Sequence, residues 1–179
     1  MQRTFQDTSR LGEAGKRLVM SHLQKCGYQV QDLTAQREYT SRFIDFSLSD
    51  GNQMRYVCVR TDARLCTTNN IVLETLMCRR NTHHLVPGWF FTCQAELLAY
   101  LDAYGGRLYI MDWGYLKELA NHSQIGYRKN FWNPVDHNSI GQIHIIPIKD
   151  LVKCPAFKGT MQLNVYELRQ YNWQKPAPF

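Results

Sequence analysis

The sequence predicts a single α/β domain with a mixed central β-sheet flanked by helices. Three features indicate this fold class: an amphipathic segment comes first, a hairpin of alternating strands follows it, and strand-like and helix-like segments then succeed one another. A chain of 179 residues is long enough for one domain with a substantial core. Its composition, 44% hydrophobic and 20% charged, is that of an ordinary globular protein. We therefore expect residues 1–179 to form one domain.

The N-terminal segment predicts an amphipathic helix over residues 9–26. Apolar side chains recur there at spacings of three and four, and Gly27 supplies a C-terminal stop. Residues 28–33 then predict a short edge strand, which a polar stretch through Thr40 follows. The chain is thus expected to enter its sheet from a helix.

Residues 42–48 and 54–60 predict a β-hairpin. The link between them, DGNQ, favours a turn with a two-residue loop at Gly51-Asn52. That register places Asp45 across from Cys58. Successive side chains of a strand point to opposite faces. The first strand is predicted to place Ile44, Phe46 and Leu48 on one face and Phe43, Asp45 and Ser47 on the other. The second strand is predicted to place Val57 and Val59 on one face and Tyr56, Cys58 and Arg60 on the other.

The segments after the hairpin predict a further strand and then two strand–helix pairs. In chain order these are a strand at 70–76, a strand at 89–91, a helix capped by Thr92 that carries Leu97, Leu98 and Leu101, a strand at 108–111, and a helix capped by Asp112 that runs to about Ala120. The predicted order is αβββ followed by βαβα.

The C-terminal third is less regular in pattern. Residues 122–141 predict a polar, aromatic-containing loop region, because their pattern is too irregular for a helix or a strand. Residues 142–148 predict an apolar strand in which Pro147 favours an edge position or a strand end. The last residues, 171–179, predict a proline-bearing tail.

The composition indicates the cellular compartment of the protein and the class of its binding partner. No apolar run approaches the roughly 20 residues of a membrane span, and the N-terminus lacks the apolar core of a secretory signal. We therefore expect a cytoplasmic protein whose six scattered cysteines are reduced and mostly buried. The net charge of +6 favours a polyanionic partner such as nucleic acid, although no basic run exceeds two residues.

Basic residues beside aromatic ones mark a candidate binding segment. Arg128 and Lys129 precede Phe131 and Trp132, a combination that can stack on bases, anchor a protein partner, or pack into the fold. All three interpretations remain open. The full set of candidates for binding nucleic acid or a protein partner is Lys16, Arg17, Arg79, Arg80, Arg128, Lys129 and Trp132.

The predicted elements gather four positions that carry chemistry. The predicted helix carries the acid Glu13, and the first hairpin strand carries the acid Asp45. The second hairpin strand carries Cys58 and Arg60 two residues apart, on the same face, so that the four side chains are expected to lie close together. In this arrangement residues 9–121 resemble the PD-(D/E)XK nucleases. The segment YVCVRTDARLCTTNNIVLE is similar to the family's E-x-K-T-D, T-G-N and Glu-bearing strand. The segments GWFFTCQAELLAYL and LYIMDWGYLKELA are similar to the elements downstream.

The resemblance implies a restriction-endonuclease-like fold with residues 122–179 as an extension. In the family, the strand Asp and the Glu of E-x-K hold Mg²⁺, and the Lys orients the attacking water. By position, Asp45 supplies the first carboxylate and metal ligand, and Glu13 the helix acid. The other two positions are substituted, because Cys58 stands for the Glu and Arg60 for the Lys. The chain is therefore identified as a degenerate member.

The two substitutions affect cleavage and phosphate binding differently. A thiol is a soft ligand that Mg²⁺ does not favour, whereas Arg60 keeps a positive charge that can hold phosphate. Glu74 or Asp62 are possible substitutes for the missing carboxylate, with Asp62 alternatively capping a turn. Structural roles also remain open, since Glu13 suits the first turn of a helix and Arg60 could pair with Asp45 or Asp62.

Three functions follow from these observations. The first is a nucleic-acid-binding protein on a nuclease scaffold with weakened or lost cleavage. The second is an active endonuclease or junction resolvase that uses Mg²⁺ or Mn²⁺ in a rearranged site. The third is a phage or mobile-element protein that binds and inhibits a bacterial nucleic-acid-targeting defence complex, such as a CRISPR effector.

Overall fold

The computed structural model of the chain describes residues 5–79, 84–132 and 139–169. These residues form seven helices, of which the first and fifth exceed a single turn. In chain order they are α1 (Phe5–Lys25), α2 (Arg37–Thr40), α3 (Leu65–Thr68), α4 (Trp89–Thr92), α5 (Trp113–Asn121), α6 (Ile148–Leu151) and α7 (Tyr166–Arg169). None of the helices in the described ranges is both long and apolar enough to cross a membrane.

The strands make two sheets. They are β1 (Gln29–Asp32), β2 (Phe46–Ser49), β3 (Met54–Asp62), β4 (Asn70–Arg79), β5 (His84–Pro87), β6 (Leu97–Asp102), β7 (Arg107–Asp112), β8 (Tyr127–Trp132), β9 (Ser139–Pro147) and β10 (Phe157–Gln162). The larger sheet has the order β1-β2-β3-β6-β7-β10 and is mixed, because β3 and β6 run parallel while its other pairs are antiparallel. The smaller sheet, β5-β4-β9-β8, is antiparallel. The predicted mixed α/β fold is confirmed.

Alternation along the central strand β3 divides the core. Val57 and Val59 belong to a cluster that α1 covers with apolar residues such as Leu11 and Val19. Cys58 belongs to the opposite cluster, which includes residues of the smaller sheet such as Leu73. The larger sheet is therefore covered by α1 on one face and by the smaller sheet on the other.

The predicted hairpin register is correct. Phe46 pairs with Val57 and Ser49 with Met54, and the Asp50 carboxylate accepts the N–H groups of the two residues that lead back into β3. The predicted start at residue 42 is wrong. Phe43 has a φ of 56°, which interrupts an extended strand, so β2 begins at Phe46. Ile44 consequently packs in the inter-sheet cluster, apart from Phe46 and Leu48.

Two predicted elements have the opposite secondary structure. Residues 89–91, predicted as a strand, belong to the helical turn α4, where the Thr92 hydroxyl donates to the Gly88 carbonyl instead of capping a new helix. The predicted helix carrying Leu97, Leu98 and Leu101 is strand β6, all six residues of which are buried. A short apolar run fits either element, and burial on both faces selects the strand.

Several local predictions are confirmed. The N-terminal helix, the edge strand at 28–33, strand β7, and the helix capped by Asp112 are present, with the Asp112 carboxylate accepting the Tyr115 N–H. Pro147 is the last residue of β9, as predicted. The strand predicted at 70–76 exists, but it lies in the smaller sheet. The predicted loop region at 122–141 contains β8, and the predicted tail at 171–179 lies outside the described residues.

Cysteine burial is mixed. Cys58 and Cys93 are buried as predicted, Cys66 and Cys154 are half-buried, and Cys26 is exposed. The two buried cysteines therefore fill the inter-sheet core.

Helix α1 approaches β3 most closely at Gly15. A Cβ atom added there would lie 1.9 Å from Thr61 Oγ1, so only glycine permits this contact without a shift. Gly12, one turn earlier, has no atom within 4 Å of the same position. The two glycines of one helix thus differ in whether packing requires them.

We predict that Gly15→Ala lowers the free energy of unfolding by about 1–3 kcal/mol, because the methyl group overpacks the interface. The matched change Gly12→Ala should raise it by about 1 kcal/mol through helix propensity alone. Urea unfolding followed by circular dichroism measures both. Adding Thr61→Ala to Gly15→Ala should restore part of the loss. Equal stability of the two single variants would contradict the packing constraint.

Candidate functional site

Asp45 is a buried carboxylate with both oxygens engaged. Its side chain is 7% exposed. Lys16 Nζ lies 2.9 Å from Oδ1, and the Val59 N–H donates to Oδ2 at 2.7 Å. The Asp45 backbone N–H donates to the Val57 carbonyl, so Asp45 is bonded to β3 on either side of Cys58. A buried carboxylate loses its hydration and therefore requires an oppositely charged partner. Lys16 of α1 is that partner.

Lys16 connects the helix acid to the strand acid. Its ammonium also lies 3.0 Å from Glu13 Oε1, one helical turn away, where the Glu13 side chain is 50% exposed. Burial acts to lower the pKa of Lys16, but the carboxylates of Asp45 and Glu13 outweigh it and leave that pKa above its usual value. The structure thus brings the predicted Glu13 and Asp45 together through a lysine that the sequence placed among binding candidates.

Cys58 occupies the interior. The residue has no exposed surface and lies in the inter-sheet cluster, which also contains Cys93. Burial raises the pKa of the Cys58 thiol well above its usual range. The position at which the sequence resemblance leads us to expect a metal-binding carboxylate is therefore a neutral thiol packed in the core.

Arg60 lies close to two aromatic rings. Its Cζ is 4.4 Å from the centroid of the Trp89 ring and 5.4 Å from that of Phe43, and its Nη1 donates to the Val59 carbonyl. Phe43 itself has a left-handed backbone conformation, which is unusual for a bulky residue. In the described part of the chain, the ion pairs within 4.0 Å all involve Lys16. The alternative of an Arg60 pair with Asp45 or Asp62 is therefore not formed.

The two candidate substitutes for the missing carboxylate differ. Asp62 accepts the Arg64 N–H through Oδ1 and the Tyr100 hydroxyl through Oδ2, so it caps the turn after β3. Glu74 is half-buried and close enough to Arg60 to feel its charge. Burial raises the pKa of Glu74, although a hydrogen bond from the Trp89 backbone and the charge of Arg60 oppose the shift. Glu74 is the acid that the smaller sheet brings toward Arg60.

The residues present do not fit the divalent cation that the resemblance implies at Asp45. Mg²⁺ and Mn²⁺ favour several hard oxygen ligands. Here Asp45 is a single carboxylate already bonded to Lys16 and Val59, and Cys58 is a buried thiol. Within residues 5–79, 84–132 and 139–169, no group of three or more His, Cys, Asp or Glu side chains is placed to hold a metal ion.

The remaining binding candidates lie on separate elements. Arg17 is exposed on α1, and Arg128 and Lys129 are exposed on β8, which is an edge strand and not the loop that irregularity suggested. Arg79 and Trp132 end strands β4 and β8, and Arg80 lies outside the described residues. Sequence reasoning missed Trp89 and Phe43 as partners of Arg60, and no local signal connects these segments.

Comparisons with known proteins give one structural match. No family model matches the chain, and no curated protein matches it. Among solved structures, a bacterial homing endonuclease is similar to this chain at a TM-score of 0.48 and 15% sequence identity. The similar region covers 62% of this chain and 72% of that one.

We predict that Lys16→Met lowers the free energy of unfolding by about 3 kcal/mol, because it leaves the Asp45 carboxylate buried without its cation. Adding Asp45→Asn should recover part of this loss, giving a coupling energy of about 1–3 kcal/mol in a double-mutant cycle. The control Glu13→Gln removes a half-exposed partner and should cost less than about 1 kcal/mol. Additive losses for Lys16→Met and Asp45→Asn would contradict the pairing.

The same ion pair predicts a loss of stability at alkaline pH. The pKa of Lys16 is raised above its ordinary value of 10.5 in the folded chain. Its stabilising contribution is therefore fully present below 10.5 and is lost as pH rises through the higher folded-state value. Unfolding measured from pH 8 upward should show this decline in the native chain and a smaller one in the Lys16→Met, Asp45→Asn double variant. Parallel profiles would contradict it.

Proposed function

We propose that this chain is a nucleic-acid-binding protein on a PD-(D/E)XK-like scaffold in which metal-dependent cleavage is weakened or lost. The observation that supports it is the contrast between the two substituted positions of β3. Cys58 is a core thiol, whereas Arg60 is half-buried and has no carboxylate partner within 4.0 Å among the described residues. The carboxylate that metal-dependent hydrolysis would need is absent at position 58, whereas a positive charge that could bind phosphate is present at position 60.

The surroundings of Arg60 suit a phosphate group. The Trp89 and Phe43 rings lie 4.4 and 5.4 Å from Cζ of the guanidinium, and the group carries five N–H donors in a planar fork. One donor is used by the Val59 carbonyl, which fixes the orientation of the group. A pre-oriented guanidinium that is partly shielded from water can make bidentate bonds to phosphate at a reduced entropic cost.

The charge distribution also supports a polyanionic partner. The chain carries a net charge of +6, and Arg17 on α1 and Arg128 and Lys129 on β8 are exposed to solvent. Exposed positive charge raises the rate of encounter with nucleic acid without specifying its sequence. Arg60 would then supply a fixed contact within a broader electrostatic attraction.

Binding to labelled duplex DNA, single-stranded DNA and RNA, measured by fluorescence anisotropy at several salt concentrations, tests the proposal. We expect Arg60→Gln to weaken binding about tenfold and to reduce the slope of log affinity against log salt by about 1. Arg60→Lys should recover only part of the affinity, because an ammonium lacks the planar fork. The control Arg107→Gln, an exposed position on β7, should stay within about twofold. Absence of binding, or equal affinities for Arg60→Gln and Arg107→Gln, would overturn the proposal.

A second candidate is an active endonuclease with a rearranged site. Two observations favour it: Lys16 places an ammonium 2.9 Å from Asp45, and Glu74 lies in the field of Arg60. Lys16 would then supply the positive charge that the resemblance assigns to the strand lysine. Incubation with linear, nicked, branched and single-stranded substrates in Mg²⁺ or Mn²⁺ tests this candidate. Cleavage that Asp45→Asn and Glu74→Gln both abolish would establish it, and no cleavage by the native chain would remove it.

A further inference from the structure

The smaller sheet has a second face that the core does not use. Ile71 and Leu73 of β4 and Ile146 of β9 belong to the inter-sheet cluster and are fully buried. Because successive side chains of a strand alternate, the residues between them point to the opposite side of the sheet, which we call the outer face. The register across β5, β4, β9 and β8 places six apolar residues on the outer face: Val86, Val72, Met77, Ile143, Ile145 and Tyr127.

The outer face is apolar and partly open to solvent. Its six apolar residues belong to neither of the two core clusters of the described chain. Tyr127 is 54% exposed, Ile145 is buried, and the other four are half-buried. Contiguous apolar side chains on an open sheet face indicate a surface that another molecule covers.

The charges on the outer face are arranged in a self-complementary way. Glu74 of β4 and Lys129 of β8 both pair with Ile143 of β9, the strand between them, so the three side chains form one row across the sheet. Neighbouring strands lie about 4.8 Å apart, which separates the backbones of the acid and the base by about 10 Å. In the described ranges, the ion pairs within 4.0 Å all involve Lys16, so Glu74 and Lys129 are not paired within one copy.

We propose that two copies of this chain associate through their outer faces, about a two-fold axis that runs along the strands at Ile143. This axis places Glu74 of each copy opposite Lys129 of the partner subunit and brings the two Ile143 side chains together. Stacked sheets lie about 10 Å apart with their strands within about 30° of each other, a spacing that interdigitated side chains fill. A two-fold contact uses the same patch twice, so a row with an acid at one end and a base at the other matches itself.

The charges favour a second copy over a polyanion on this face. The Glu74 carboxylate would repel a phosphate backbone, whereas it attracts Lys129 of the partner subunit. Arg128, the exposed cation next to Lys129, pairs across from the buried His144 and therefore lies on the other side of the sheet. It stays outside the contact.

Association also has a consequence for Arg60. Glu74 lies close enough to Arg60 to feel its charge. In the dimer, Lys129 of the partner subunit would neutralise this acid and add a second cation near each Arg60. Association and the binding of a polyanion at Arg60 should therefore strengthen each other, because coupling between two binding events is reciprocal. This consequence rests on the proposed function, whereas the dimer itself does not.

Sedimentation velocity of the native full-length chain, at concentrations from about 5 to 500 µM, tests the proposal. We expect the average mass to rise from the 21.0 kDa of one chain toward twice that value. Ile143→Thr keeps a β-branched side chain but places a hydroxyl at the centre of the contact, and it should weaken association about tenfold or more. A native chain that stays at 21.0 kDa throughout, or a dimer that Ile143→Thr leaves intact, would overturn the proposal.

Charge reversal at the two ends of the row tests the two-fold arrangement. Glu74→Lys and Lys129→Glu each place like charges opposite each other in their own dimers, so each should weaken self-association about tenfold or more. An equimolar mixture of the two variants should recover association to within about threefold of native, because both pairs in the mixed dimer have opposite charges. The matched control Lys158→Glu, an exposed position on the edge strand β10, should stay within about twofold.

Two outcomes of the mixing experiment would contradict the arrangement. One is self-association of the single variants at native strength. The other is a mixture that stays monomeric although circular dichroism shows both variants to be folded. The samples contain no nucleic acid, so failure of the dimer is distinct from failure of the proposed function.

Discussion

The close contact between α1 and β3 is the constraint on which the site depends. Gly15 lets the helix backbone approach Thr61 without a side chain between them. The next residue, Lys16, then reaches the buried Asp45 carboxylate. A carboxylate inside a protein is tolerated when an opposite charge and hydrogen bonds offset its lost hydration. The packing of the helix and the charge state of the site are therefore determined by the same contact.

The two faces of β3 give its residues different roles. Val57 and Val59 face the cluster beneath α1, whereas Cys58 faces the smaller sheet. A thiol at this position adds to an apolar cluster and needs no cation. Arg60, two residues further along the same strand, is held by aromatic side chains instead of a carboxylate. This strand thus combines core packing with one positioned positive charge.

Local signals predicted the elements whose stability is local. The helix α1 follows from its apolar spacing, α5 from the Asp112 cap, and the hairpin register from the turn at Asp50. Predictions failed where neighbours decide the structure. The run from Leu97 fits a helix by spacing, but its burial on both faces makes it a strand. The membership of β4 in the smaller sheet depends on pairing with β9, about 70 residues later, which no local pattern encodes.

The candidate site was predictable to a similar degree. The resemblance identified Asp45, Cys58 and Arg60 as neighbouring positions, because the hairpin fixes their relation. It did not identify Lys16 as the partner of Asp45, because that contact requires the close approach of the helix. Trp89 reaches Arg60 through the turn at Gly88, where a Cβ atom would lie 2.3 Å from the Glu74 carbonyl oxygen. Such contacts between distant segments are properties of the folded chain.

Lys16, and not a divalent cation, neutralises Asp45 in this structure. Isothermal titration of Mn²⁺ into the native chain and into Asp45→Asn tests it most directly, with circular dichroism to confirm that both are folded. Because Lys16 already pairs with the carboxylate, we expect no stoichiometric Mn²⁺ binding that depends on Asp45, so the two titrations should be the same. Stoichiometric binding by the native chain that Asp45→Asn abolishes would contradict the account.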